Sequence, residues 1–132
     1  MKRYMLDTNT VSHVLKSHPG VIRRLVDVPM AALCISAITE GELLFGLAKR
    51  PAAKPLHLAV REFLRRVEVL PWDSIAAERY GSVGADMARA GKILGPLDLL
   101  IATHAASLNA VLVTNDQAIR QMADLHIEDW TH

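Results

Sequence analysis

The chain has 132 residues, of which 51% are apolar, so it is long enough to bury one hydrophobic core. Its formal net charge of +1 gives no bulk attraction to nucleic acid, and any such contact must come from local clusters of basic residues. The lone cysteine, Cys34, excludes an internal disulfide and a cysteine-cluster zinc site. The short apolar start is not a signal peptide, and no apolar run approaches the roughly 20 residues of a membrane span. We therefore expect a single cytoplasmic domain over residues 1–132, without membrane contact.

Apolar runs alternate with helical patterns along the chain, in the order that parallel α/β proteins show. We predict strands at residues 4–6, 31–35, 67–70 and 110–113, with a last edge strand at 126–127. We predict helices at residues 8–17, 21–28, 36–49, 55–66, 74–91, 96–108 and 115–123. Pro19-Gly20 should break the first helix, Pro29 should stop the second, and Pro96 should open the sixth. The expected fold class is α/β, with a mostly parallel sheet flanked by helices.

Two acidic residues follow predicted strands. Asp7 comes directly after the first strand, and Asp116 follows Val113 after only Thr114 and Asn115. Sites in open parallel sheets form beyond the carboxyl ends of the strands, so both carboxylates should reach the same edge. Each could instead be a helix N-cap that offsets the helix dipole, and for either residue alone this alternative stays open.

Glu42 is a third acidic candidate. On a helix it shares one row with Ile38 and Phe45, so it interrupts a face that otherwise looks apolar. Glu40, the rival acid, points away from that row. The alternative is a capping box starting at Thr39, although Ser36 is an equally good N-cap.

Asp98 is the fourth candidate, at the start of the very apolar segment 99–106. It is either a first-turn acid after Pro96 or part of a site at the rim of the core. Four carboxylates at one edge would repel each other unless a hard cation neutralised them. One or two Mg²⁺ or Mn²⁺ ions would do so, and would also activate water against a phosphodiester. The six histidines are scattered without zinc-ligand spacing.

At these residues the sequence resembles the PIN-domain ribonucleases, and specifically the VapC toxins of bacterial toxin–antitoxin modules. Four segments carry the resemblance, in matching order and spacing: Met5-Leu6-Asp7-Thr8-Asn9, residues 36–46 around Glu42, Leu97-Asp98-Leu99-Leu100-Ile101-Ala102, and Leu112-Val113-Thr114-Asn115-Asp116. Each is weak alone, but together they are specific and span nearly the whole chain.

The resemblance implies a PIN-like α/β/α sandwich and a Mg²⁺- or Mn²⁺-dependent endoribonuclease. It implies an acidic catalytic quartet of Asp7, Glu42, Asp98 and Asp116, with Asp7, Asp98 and Asp116 as metal ligands. Thr8, Asn9 and Thr114 would be the supporting polar residues. It further implies a structured RNA substrate, often tRNA, a VapB-like antitoxin as the inhibitory partner, and a toxin homodimer.

RNA binding requires cations near the acidic edge. Basic residues cluster after the Glu42 helix, and those we predict to contact RNA are Lys49, Arg50, Arg61 and Arg65. For any one of them, an ordinary solvated helix face remains the alternative. Arg89 and Lys92, which precede Asp98, are the next candidates.

Two other functions are open to a chain with this pattern. An aspartate-nucleophile phosphatase also begins with a strand followed by Asp, but it needs a second acid two residues later, where this chain has Asn9. A non-catalytic receiver-like or binding module would use the acids only as helix caps. Metal-dependent hydrolysis of RNA distinguishes the nuclease from both.

Overall fold

A five-stranded sheet forms the centre of the molecule, which the computed structural model describes from residue 2 to residue 132. Its strands are β1 (Tyr4–Leu6), β2 (Leu33–Ser36), β3 (Glu68–Leu70), β4 (Val111–Val113) and β5 (His126–Glu128). They lie in the order β3-β2-β1-β4-β5, and all four neighbouring pairs are parallel. The sheet is therefore wholly parallel, where the sequence predicted a mostly parallel one.

Helices cover both faces of this sheet. They are α1 (Thr8–Leu15), α2 (Pro19–Leu25), α3 (Ala37–Ala48), α4 (Lys54–Arg66), α5 (Ser74–Arg89) and α6 (Pro96–Ser107). Successive side chains of a strand point to opposite faces, so Leu6 packs in one core with α1 to α4, and Met5 packs in another with α5 and α6. The expected α/β/α sandwich is confirmed. No helix within residues 2–132 combines the length and apolarity needed to cross a bilayer.

Cys34 belongs to the second core and is fully buried. Burial, the largest cause, raises the pKa of its thiol to about 11. The thiolate is therefore absent at neutral pH, and Cys34 is an inert core residue, as the sequence predicted.

Several predicted boundaries were wrong, and three of the differences lie near a proline or a turn. The first helix ends before Pro19, as predicted, but Pro19 also begins α2, two residues earlier than predicted, because a helix leaves its first N–H groups unbonded in any case. After Pro29, Met30–Ala32 form a 3₁₀ turn, so β2 starts two residues later than predicted. The segment after β4 forms only a short 3₁₀ helix, Gln117–Gln121, within the predicted helix 115–123.

The register of the sheet places two chain exits side by side. Leu6 at the end of β1 is paired with Val113 at the end of β4. Asp7 and Thr114 therefore leave the same edge of the sheet next to one another. This edge, at the carboxyl ends of the strands, is where parallel sheets form their sites.

Candidate metal centre at the carboxyl edge of the sheet

Asp7 is fixed where β1 meets α1. Its backbone N–H donates to the carbonyl of Val113 at 3.1 Å. The buried hydroxyl of Thr10 donates to the same carbonyl at 3.0 Å, which ties the first turn of α1 to β4. Only 5% of Asp7 is exposed, so its carboxylate lies at the floor of the edge.

Both strand-end aspartates also cap helices, as the capping alternative required. One oxygen of Asp7 accepts from the N–H of Thr10 at 2.8 Å, and one oxygen of Asp116 accepts from the N–H of Ala118 at 2.9 Å. The buried Thr114 hydroxyl accepts from the Asp116 N–H at 3.0 Å. Because capping uses one oxygen of each carboxylate, it fixes their positions without excluding a second role.

Glu42 reaches the same edge from α3. Its carboxylate accepts a hydrogen bond of 2.5 Å from the hydroxyl of Thr8, and that hydroxyl lies 3.3 Å from the hydroxyl of Thr39. The N-cap of α3 is Ser36, which accepts from the Ile38 N–H, so the capping box at Thr39 was wrong. No hydrogen bond or ion pair within residues 2–132 involves the carboxylate of Glu40.

The row that carries Glu42 lines an open groove and not the core. The core face of α3 consists of Thr39, Leu43 and Leu47, all of which are buried. Phe45, in contrast, is 64% exposed. Glu42 does interrupt an apolar row, as the sequence predicted, but this row borders an open groove and its Phe45 end is exposed.

Asp98 shows that the four carboxylates act on one another. Its pKa is raised, first by burial and then by the negative charges of Asp116, Asp7 and Glu42. A hydrogen bond with the Asp116 carboxylate raises the pKa further, because it favours the protonated form. Gly95 makes room for this side chain, since a Cβ on Gly95 would lie 3.2 Å from an Asp98 oxygen.

The donors fit a hard divalent cation by their chemistry, since carboxylate oxygens are what Mg²⁺ and Mn²⁺ prefer. They are not a preformed cage: within residues 2–132, no three Asp, Glu, His or Cys side chains are close enough to hold one ion. The raised pKa of Asp98 is consistent with this wider spacing, because charges influence a pKa over longer distances than those of metal ligation.

A buried polar contact connects the helices that carry Glu42 and Asp98. Nδ1 of His104 in α6 lies 2.8 Å from the hydroxyl of Ser36, the N-cap of α3. Burial lowers the pKa of His104, with a smaller opposing effect from Asp73. The sequence analysis missed His104, and its only signal was a histidine inside an apolar helix.

The predicted supporting and RNA-contacting residues are spread more widely. Thr8 and Thr114 lie in the site, whereas Asn9 is exposed. Lys49 ends α3 and lines the groove beside Glu42. Arg50, which precedes α4, and Arg61, on α4, are both exposed. Arg65 lies 3.2 Å from Glu62. It is close to the start of β3 and therefore away from the carboxyl ends of the strands.

Comparison with known proteins agrees with this geometry. A family model described as PIN domain matches residues 4–125. The chain belongs to the PIN-domain family. It is 41% identical to the tRNA(fMet)-specific endonuclease VapC of Salmonella typhimurium, over 98% of this chain and 99% of that protein. It is 33% identical to the Shigella flexneri protein of the same name, over 99% of this chain and 100% of that one.

Solved structures of family members have the same fold. The DNA-bound VapBC structure from Salmonella typhimurium gives a TM-score of 0.90 at 39% identity and covers 98% of this chain and 99% of that one. VapBC2 from Rickettsia felis, bound to a promoter fragment, gives 0.87 at 30% identity, over 96% and 98% of the two chains. The resemblance to VapC proteins is thus confirmed. PIN-domain nucleases generally depend on divalent metal.

Replacing Asp98 with Asn should raise the melting temperature at pH 7 in metal-free buffer. A raised pKa means that the folded state binds the proton more tightly than the unfolded state does. This stabilisation is complete below the unfolded pKa, about 3.9, and is lost as pH rises through the folded pKa. Ionised Asp98 is therefore destabilising at neutral pH, and Asn removes that charge.

Thermal unfolding followed by circular dichroism at several pH values measures this effect. The advantage of Asp98→Asn should shrink as the pH falls from 7 through the raised pKa of Asp98, and should be gone below about 3.9. Asp27→Asn, at an exposed position outside the site, is the matched control and should leave the melting temperature unchanged. An Asp98→Asn protein that is less stable at pH 7 would contradict the repulsion described above.

Proposed function

We propose that this chain is a Mg²⁺- or Mn²⁺-dependent endoribonuclease, the toxin of a VapBC-type toxin–antitoxin module. The observation that carries the proposal is the convergence of Asp7, Glu42, Asp98 and Asp116 from four segments onto one edge of the sheet. Family membership, with VapC proteins as relatives over the full chain, favours this function over a phosphatase or a receiver-like module. In this proposal, residues 1–132 form one catalytic domain.

Asp7, Asp98 and Asp116 are the residues proposed to hold the metal. When bound, such an ion lowers the pKa of a coordinated water and neutralises charge on a phosphodiester. Asp7 and Asp116 are held in place by the helix caps that they form. Glu42, oriented by Thr8, adds negative charge that strengthens cation binding and is positioned to accept a proton. Thr114 fixes the turn that presents Asp116.

The proposed substrate is a structured RNA, and tRNA in particular. Two full-length relatives carry names that specify tRNA(fMet), which makes that tRNA the first substrate to test. We propose that the chain acts in the cytoplasm, where tRNA is found. Lys49, Arg50, Arg61 and Arg65 are proposed to contact RNA phosphates, and Arg65 contributes least because Glu62 partly neutralises it.

The proposed partners follow from the solved relatives. Two of these structures contain VapBC complexes, so we propose a VapB-like antitoxin that binds and inhibits this chain. A homodimer of the toxin is also proposed.

Asp7→Asn should abolish RNA cleavage and weaken binding of Mn²⁺. Asn is as good an N-cap as Asp, so α1 should keep its start while the site loses a charge. Activity should fall at least about a hundredfold, because a bound metal supplies several kcal/mol of charge stabilisation. Cleavage of a tRNA(fMet) transcript and calorimetric titration with Mn²⁺ measure the two effects.

Asp27→Asn is the matched control for Asp7→Asn, since Asp27 is exposed and outside the site. It should cleave RNA and bind Mn²⁺ like the parent chain. If a folded Asp7→Asn protein cleaves RNA at the parent rate, the acidic edge is not the active site.

Glu42→Gln and Glu40→Gln should differ sharply. Both replacements are isosteric and lie on the same helix, but only Glu42 accepts from Thr8 at the acidic edge. Glu42→Gln should lower metal-dependent kcat by about a hundredfold or more, whereas Glu40→Gln should stay within about twofold of the parent. Steady-state cleavage kinetics test this, and equal activities would refute the role of Glu42.

Arg61→Ala should weaken RNA binding across many sequences, because phosphate contacts carry no base information. When log affinity is plotted against log salt concentration, the slope should become shallower by about one unit, because one phosphate contact is lost. Filter binding to Asp7→Asn protein avoids cleavage during the measurement. Arg23→Ala removes one exposed arginine from α2 as the control. If Arg61→Ala and Arg23→Ala change RNA affinity equally, Arg61 does not belong to the RNA-binding surface.

A further inference from the structure

Phe45 is an aromatic residue in an unusual place. It follows Glu42 by one turn of α3, yet 64% of it is exposed. The core face of the same helix is already complete with Thr39, Leu43 and Leu47. Packing within the chain therefore does not account for Phe45, whose ring is exposed beside Glu42.

A groove of about 650 Å³ runs from Glu42 along this ring. Ile38 and Phe45 line it from α3, and Leu97, the neighbour of Asp98, lines it from α6. The groove therefore has walls from the two helices that carry Glu42 and Asp98, and Glu42 itself is one of its lining residues. Its volume is within the range of small-ligand sites.

Gly41 keeps this groove open. It is one of the lining residues, and a Cβ at this position would meet no atom within 4 Å. In the middle of a helix, glycine is less stable than alanine by about 1 kcal/mol, and no close contact here explains that cost. A larger side chain at position 41 would project into the space beside Phe45.

Two residues of opposite charge line the groove on either side of Phe45 along α3. Glu42 precedes Phe45 by about one turn, and the ammonium of Lys49 lies 4.8 Å from the centre of the Phe45 ring. Lys49 forms no ion pair within residues 2–132. This arrangement matches a nucleotide. The apolar wall fits the planar base, and the cation and the proposed metal site on its two sides fit the two flanking phosphates.

We propose that the Phe45 groove binds one unpaired nucleobase next to the scissile phosphate, with Lys49 contacting a neighbouring phosphate. This inference rests on the proposed endoribonuclease function. The base packs against the Phe45 ring and the apolar groove walls, as bases pack on aromatic side chains in other single-strand sites. A paired base cannot enter, so the groove restricts cleavage to loops and other unpaired segments of a folded RNA. An apolar peptide segment would leave Lys49 without an anion, and so fits less well.

The test compares intact RNA with RNA that lacks one base. The parent chain is first used to map the cleaved bond in a tRNA(fMet) transcript, and substrates are then made with an abasic nucleotide on either side of it. Phe45→Ala should lower kcat/KM on intact RNA by roughly 5- to 150-fold, the range for loss of one base–aromatic stack, mainly through a higher KM. On one of the two abasic substrates it should match the parent within about twofold. Phe45→Trp should restore cleavage of intact RNA.

Blocking the groove provides a second variant. Gly41→Leu improves helix propensity, so it should fold, and it should lower kcat/KM on intact RNA by filling the base site. Gly81→Leu is the matched control, because Gly81 is also helical and open, on α5. It should cleave both kinds of RNA like the parent.

Several results would overturn the inference. Equal losses by Phe45→Ala on intact and both abasic RNAs would assign Phe45 a structural role. Unchanged cleavage by Phe45→Ala and Gly41→Leu, with weakened inhibition by a VapB-like antitoxin, would assign the groove to the protein partner. If the parent cleaves no RNA, or Asp7→Asn cleaves as the parent does, the proposed function fails and this inference fails with it. If cleavage depends on Asp7 but not on Phe45, only the groove proposal fails.

Discussion

Repulsion between carboxylates at one end of the sheet is the constraint around which the rest of the molecule is arranged. The pairing of β1 with β4 places Asp7 and the turn to Asp116 next to each other, and α3 and α6 bring Glu42 and Asp98 to the same edge. The raised pKa of Asp98 records the resulting cost. A stable fold does not need these charges together, so their convergence indicates chemistry.

The fold offsets part of this repulsion with backbone groups. Asp7 and Asp116 each accept an N–H at the start of a helical segment, and Asp98 lies in the first turn of α6. Helix N-termini carry partial positive charge, so three of the acids lie where a negative charge is tolerated best. Glu42 has the hydroxyl of Thr8 instead. These interactions hold the carboxylates in place but do not neutralise them, which leaves the divalent cation proposed above as the remaining counter-charge.

Positioning of the site depends on contacts between distant segments. Ser36 caps α3 and contacts His104 in α6, so the helices that carry Glu42 and Asp98 are joined in the buried interior. Thr10 joins α1 to β4 in a similar way. Hydroxyl and imidazole groups can make such contacts inside the protein because each finds a partner there. The open groove beside Phe45 lies between the same two helices, so the contacts that fix the acids also fix its walls.

The sequence by itself determined the fold class, the order of the elements and the four acids that converge on one edge of the sheet. Short apolar strands followed by helical patterns permit few arrangements, and an acid directly after a buried strand must emerge at the strand end. The predicted helix 21–28 was misplaced at both ends, since α2 spans Pro19–Leu25, because proline is compatible with the first position of a helix and does not fix where a helix before it ends. Only the tertiary structure decided that Asp7 and Asp116 cap helical segments, that Phe45 is exposed and that His104 contacts Ser36. Each depends on which other element covers a given face, and periodicity within one segment cannot supply that information.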